Sequence, residues 1–435
     1  MTQERIVRPQ RVSHFACQSV FLTLGKQGGF KTLDDFLKFA KNDCGFEAVS
    51  IPTCPPLIDM AQASKSKSYC ADLLGKYEKH GLPLLRLEGH TSTQCVCLDP
   101  SRKLKFGHFM SPKFRKLKHR QIEKLAVKEV KKAIDVTAAL GLKHLVAFCG
   151  GRSFAVAQAK WAAWPKYFAA WSLALLAYKW NDILEYAAER GVILMFEIGH
   201  PENDLLTAQN CIDFRKMLTP KARKAFGVNA DRSHFRNVGT DELNHFRRIL
   251  KDGIPITNHY KDGIYVDRGD GTASPYGGLE PWSNSAGTFA TIGIVGDETA
   301  LQEYNGLMAE AHATQEGGVD IHHEAECVFI PNPKQGMIVG AHNCRALRDE
   351  TPLIRFNNVA PDTDLTPFST MGRRELVGAD GAPMVLKRWG GGPFDKFADI
   401  PVSAPELLSL LADERDGCVA ILERAGYTEA AAIRN

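Results

Sequence analysis

From about residue 12 to about residue 330, short apolar and β-branched runs alternate with longer segments whose apolar positions recur at helical spacing. That alternation is how a parallel sheet with crossover helices reads. The strand candidates are His14 to Leu24, Phe46 to Ile51, Pro83 to Glu88, His144 to Cys149, Val192 to Ile198, Phe226 to Asp231, Ile254 to His259 and Val319 to Val328. Several are apolar throughout, Val192-Ile193-Leu194-Met195-Phe196 among them, as expected of strands covered on both faces. The first helix is expected to open on Thr32, a hydroxyl N-cap ahead of Asp34 and Asp35, and to end near Gly45. Further helices are expected over Ile122 to Leu140, Trp171 to Arg190, Asp241 to Lys251 and Glu298 to Gln315. Eight strands with intervening helices make a (β/α)8 TIM barrel the expected fold.

The barrel is expected to occupy residues 12–349. Two segments exceed a minimal barrel. Asp267 to Gly296, rich in Gly, Ser and Pro, is a long loop after strand seven, where barrels place substrate-covering segments. Residues 350–435 form a C-terminal extension, irregular through Arg388-Trp389-Gly390-Gly391-Gly392-Pro393 and helical near Ala404 to Ala425. It is expected to pack on the barrel or on an oligomer partner.

Composition narrows the class. With 44% hydrophobic and 24% charged residues the chain is that of an ordinary globular protein, and no apolar run reaches the roughly 20 residues of a membrane helix. The net charge of +4 is nearly balanced, and the basic run Lys113-Phe114-Arg115-Lys116-Leu117-Lys118-His119-Arg120 reads as a solvated loop leading into a helix rather than a nucleic-acid surface. Eleven scattered cysteines and an N-terminus without an apolar signal segment suggest reduced thiols and a cytoplasmic location. Cys95-Val96-Cys97 lacks zinc or redox spacing.

The chemistry gathers where the strands end. Strand five ends in Glu197-Ile198-Gly199-His200-Pro201, strand six in Asp231-Arg232-Ser233-His234, strand seven in His259-Tyr260-Lys261-Asp262 and strand eight in His322-His323-Glu324-Ala325-Glu326. The C-terminal ends of the strands are the face where barrel enzymes keep their active sites. Two glutamates, an aspartate and a histidine, one from each of four successive strands, would form a mixed oxygen and nitrogen site suited to one divalent ion, with Mn2+ favoured and Mg2+, Co2+ or Zn2+ also accommodated. Such an ion polarises a carbonyl and stabilises the enediolate formed when the neighbouring carbon loses a proton. His259 alone is as well explained by packing, and Asp231 by helix capping; their placement at neighbouring strand ends is what favours a site. Trp161, Trp164, Trp171 and Trp180 could stack on a sugar, but in or beside a helix they read as core.

These motifs resemble the sugar phosphate isomerase/epimerase family with xylose isomerase-like TIM barrels, over roughly residues 12 to 330. The resemblance rests on Asp231-x-x-His234, on His259-x-Lys261-Asp262 and on Glu197 followed by His200-Pro201. It implies that Glu197, Asp231, His259 and a strand-eight glutamate hold the metal. Glu324 is preferred for that position, although Glu326 shares its side of the strand. It further implies Glu197 and Glu324 as proton-transferring groups, Lys261 as a stabiliser of developing negative charge with Asp262 beside it, and His234 as a binder of substrate hydroxyls. The family's Glu-x-His-Pro is stretched here by one residue at His200, and His90 after strand three is a further candidate pocket residue.

The expected function is therefore metal-dependent isomerisation or epimerisation of a sugar or sugar-like polyol. The closest alternative is a lyase or dehydratase acting by β-elimination on a keto-sugar or 3-keto-glycoside. A nuclease would need a richer ligand set for several zinc ions, and a non-catalytic scaffold would not need four ligands. The expected partners are a small-molecule substrate and a homo-oligomer, with neither membrane nor nucleic acid.

Overall fold

A computed structural model describes residues 11–16, 32–55, 57–98, 117–151, 168–199, 203–237, 241–260, 262–265, 288–291, 298–314, 321–326, 333–349, 351–353 and 404–432. Seven strands follow in chain order: β1 (Arg11–Ala16), β2 (Ala48–Pro52), β3 (Leu84–Glu88), β4 (His144–Ala147), β5 (Ile193–Glu197), β6 (Phe226–Asp231) and β7 (Ile256–His259). Then come β8 (Asp262–Tyr265), β9 (Thr288–Thr291) and β10 (Ile321–Glu326). Eight of them form one sheet in the order β10-β1-β2-β3-β4-β5-β6-β7, parallel throughout. A parallel bridge between Tyr260 and Ala325 joins its two edges, with the Tyr260 amide donating to the Glu324 carbonyl at 2.6 Å, and closes the barrel.

The expected order of strands and helices holds, with shifted boundaries. The first strand begins at Arg11 rather than His14, and residues 17–24 lie outside the described part. Thr32 caps the first helix, its hydroxyl accepting from the Asp35 amide while the Asp35 carboxylate accepts from the Thr32 amide. A π-helical turn, Phe39–Asp43, extends that helix before the chain turns at Gly45, φ +73°. β8, just ahead of the expected long loop, pairs antiparallel with β9 inside it; the loop's other residues, and most of those between 350 and 403, are outside the described part.

Core packing fixes which strand residues face inward. Phe196 on β5 points to the helical layer, where it meets Trp180 at 4.8 Å and Phe226 at 5.8 Å between ring centroids. Side chains alternate along a strand, so the flanking Met195 and Glu197 turn into the barrel. Trp180, fully buried, donates its indole N–H to the Cys149 carbonyl and is a core residue. The helix Ala404–Arg424 lies against the helix Phe168–Glu189, with Lys179 bridging Glu414 at 2.5 Å and Glu123 at 2.7 Å. Among the described residues no helix is long and apolar enough to cross a membrane.

Candidate metal centre

Polar side chains replace apolar ones where β3, β5, β6 and β7 reach their C-terminal ends. Glu88 ends β3, Glu197 ends β5, Asp231 ends β6 and His259 ends β7, while Glu324 lies on β10. All five are buried, at 2% exposure or less. The ends of β6 and β7 are tied together from outside: the Tyr304 hydroxyl, on the helix Glu298–Thr314, donates to the Ala230 carbonyl at 2.8 Å and lies 3.3 Å from that of His259. After Glu197 the chain turns at Gly199, φ +80°, where a Cβ would lie 2.8 Å from the Phe235 ring; neither the conformation nor the space suits a larger residue.

Two groups of three could each hold an ion, and they share His259: Glu197 with Asp231 and His259, and Glu88 with His259 and Glu324. His259 Nδ1 faces the first, 3.3 Å from Glu197 Oε2 and 3.9 Å from Asp231 Oδ2. Its Nε2 faces the second, 3.8 Å from Glu88 Oε2 and 4.0 Å from Glu324 Oε1. Of the four ligands implied by the resemblance, Glu197, Asp231 and His259 thus form one group, and Glu324 stands on the opposite nitrogen of the His259 ring, grouped with Glu88. Donor atoms bound at about 2.0–2.2 Å to one ion lie at most roughly 4.4 Å apart, so the separations within each group of three suit an ion held by that group. Mixed carboxylate and imidazole donors suit hard or borderline divalent metals.

Two histidines hold the Glu197 carboxylate. His90 Nε2 donates to Oε2 at 2.8 Å, and His234 Nε2 lies 3.2 Å from Oε1 and 3.5 Å from Asp231 Oδ2. Burial pushes the Glu197 carboxyl up, but the charges of His259 and His234 outweigh it and hold the group well below the usual range. Glu88 shows the opposite balance. Burial and then repulsion from Glu324 push it up to about 7, against the partial relief of His259. For His90, burial favours the neutral ring but its hydrogen bond and charge pairing with Glu197 raise it above the ordinary value.

His200, Lys261 and the side chains of Asp262 and Glu326 lie outside the described residues. Sequence reasoning missed Glu88 and Arg86. In Leu84-Leu85-Arg86-Leu87-Glu88 the alternation resembles a strand with one solvated face, but here the polar row turns inward, with Arg86 Nη1 2.5 Å from Glu324 Oε2. A charged pair at positions i and i+2 inside an otherwise buried parallel strand was the available signal.

A closed parallel barrel with carboxylates and imidazoles converging at its C-terminal rim defines an α/β barrel of the metal-site type. The chain belongs to the xylose isomerase-like TIM barrel family, whose model matches residues 38–273, over half of the 435 residues. Solved structures of similar fold include a xylose isomerase domain protein from Planctomyces limnophilus, at 11% identity and TM-score 0.47, covering 79% of this chain and 98% of its own. An IOLI protein with a zinc atom has 14% identity and TM-score 0.48 over 78% of this chain and 97% of its own. The 3-keto-D-glucoside 4-epimerase of E. coli has 11% identity and TM-score 0.43 over 78% and 100%. Likenesses at this level carry no inference about activity. No curated protein matches the sequence significantly.

Proposed function

We propose that this chain is a divalent-metal-dependent isomerase or epimerase of a sugar or sugar-like polyol, with the chemistry in the barrel at 12–349 and the C-terminal extension 350–435 serving the barrel or an oligomer partner. The observation that carries the reading is the buried group of Glu197, Asp231 and His259 at adjacent strand ends, with Glu324 on the far side of the same imidazole. Glu197, Asp231 and His259 would hold the ion, with Glu324, the fourth ligand that the resemblance implies, turning toward it from the other side of the ring, Mn2+ being favoured for such a donor set. When bound, it would polarise a substrate carbonyl and stabilise an enediolate.

The protein's own groups divide the remaining work. Glu197 is kept ionised and oriented by His90 and His234, which makes it the better prepared proton acceptor of the set. Glu324 would return a proton from the opposite face. His234 and His90 border the same space and would exchange part of their hold on Glu197 for substrate hydroxyls. His200, Lys261 and Asp262 retain the substrate-side roles that the motif implies, Lys261 opposing negative charge as it develops.

The test is metal analysis of the purified protein, followed by proton exchange from D2O into candidate sugars and 3-keto-glycosides with wild type and Glu197→Gln. Stoichiometric metal, with exchange into recovered sugar or its epimer that Glu197→Gln abolishes, is the expected result. Release of an aglycone or water would instead assign β-elimination. A wild-type protein that binds no metal under any condition overturns the reading.

A further inference from the structure

Among the described residues, a buried guanidinium inside the barrel lies close to the candidate ligands. Arg86 stands two residues before Glu88 on β3, 1% exposed, and reaches across the barrel to β10, 238 residues away in sequence. There its Nη1 donates to Glu324 Oε2 at 2.5 Å. Glu324 has no exposed surface, and its other oxygen, Oε1, is the one facing His259 Nε2. Burying a guanidinium is costly, and Arg86 does not recover that cost by satisfying all its donors: Nη2 has no hydrogen-bond partner among the described residues. Nor does the backbone demand an arginine at this position, since Ser50, its register neighbour on β2, is small and polar.

We infer that Arg86 is a positioning residue for the metal centre. By occupying Oε2 it fixes the plane of the Glu324 carboxylate, so that Oε1 alone is presented toward His259 and the ion. The inference rests on the metal-dependent reading above. It makes a prediction whose sign separates it from simple electrostatics. A guanidinium beside a cation site repels the cation, so by charge alone removing Arg86 tightens metal binding. A side chain that orients a ligand does the reverse, and losing such an outer partner typically costs about 10–100-fold in affinity.

The experiment measures Mn2+ dissociation constants by electron paramagnetic resonance of free Mn2+, at one pH, on the full chain. The proteins are wild type, Arg86→Met, Arg86→Lys, Glu324→Gln, Asp231→Asn and the double variant Arg86→Met/Glu324→Gln, each checked for folding by circular dichroism. Arg86→Met is expected to weaken binding about 10–100-fold. Arg86→Lys, which can still donate to Oε2, is expected to restore most of it. Adding Arg86→Met to Glu324→Gln is expected to change nothing further, because the arginine acts through that glutamate. A folded Arg86→Met protein that binds Mn2+ as tightly as wild type, or more tightly, overturns the inference. If Arg86→Met does not fold, Arg86→Gln takes its place under the same criterion: weaker Mn2+ binding than wild type supports the inference, and equal or tighter binding overturns it. Wild-type binding that Asp231→Asn abolishes but Arg86→Met leaves intact would sink this inference and spare the metal site. No binding by wild type would remove both.

Discussion

A carboxylate stripped of water keeps its charge only where its neighbours replace the hydration it has lost. Glu197 and Glu88 sit on the same rim at equal depth, yet one is held ionised and the other titrates near neutrality. The difference is that Glu197 has three imidazoles around it, while for Glu88 burial and then the repulsion of Glu324 outweigh the pull of His259 and His90. At the opposite end of the barrel His144, the first residue of β4, is pushed down to about 3 by burial and then by the charge of Arg86. In the unfolded chain it takes up a proton near its ordinary 6.5. Between those two values the unfolded state binds a proton that the folded state refuses, so stability falls as pH drops through that window. The thermal midpoint is therefore expected to decline from about pH 6.5 downward, and to decline less in His144→Gln. An equal decline in both proteins would remove His144 from the account.

Elements far from the rim show what each length of sequence decides alone. The first helix was legible because Thr32 and Asp35 cap it through local bonds, and the helix Phe168–Glu189 because its apolar content is high and continuous. The helices Lys67–Lys79 and Ala208–Met217 escaped notice because their buried faces are made partly of cysteine, tyrosine and alanine, which do not stand out as an apolar stripe. The helix Ala404–Arg424 was legible, but not its docking, which includes a half-buried lysine between two glutamates from distant parts of the chain. Lys179→Ala would leave Glu123 and Glu414 buried without their shared cation and is expected to cost about 3 kcal/mol, measured by denaturant unfolding. Gly417 gives a second handle, because a Cβ there would lie 2.4 Å from the Tyr178 ring. Gly417→Leu is expected to lift the helix from the barrel, seen as faster proteolysis within 404–424 while the barrel stays folded. Unchanged proteolysis would mean that the helix can shift to accommodate the side chain.

For the whole molecule, the barrel was readable from alternation because every strand is short and every crossover long. The rim of the candidate site was readable because polar residues end otherwise apolar strands. What stayed hidden was geometry across the barrel: that Arg86 meets Glu324, and that His259 stands between two groups, are facts of closure that no local pattern contains. An ion bound only by the folded state adds stability by mass action, about 2.7 kcal/mol at one hundred times its dissociation constant. Mn2+ at that excess is expected to raise the melting temperature of wild type and to leave that of His259→Ala unmoved; a similar rise in both would place the binding elsewhere. One more consequence lies in how the cylinder is joined. Around most of its circumference neighbouring strands share runs of paired residues, but β7 and β10 meet through the Tyr260–Ala325 bridge, with Asn258 Oδ1 accepting from the Glu324 amide at 3.4 Å. His259 and Glu324 flank that seam, so an ion they share would work as a clasp across it. Amide hydrogens of 256–260 should then exchange slowly in metal-loaded protein and quicken on chelation, while those of β2 and β3 keep their pace. The cylinder would breathe along one line, and the same ion that prepares the chemistry would hold that line shut.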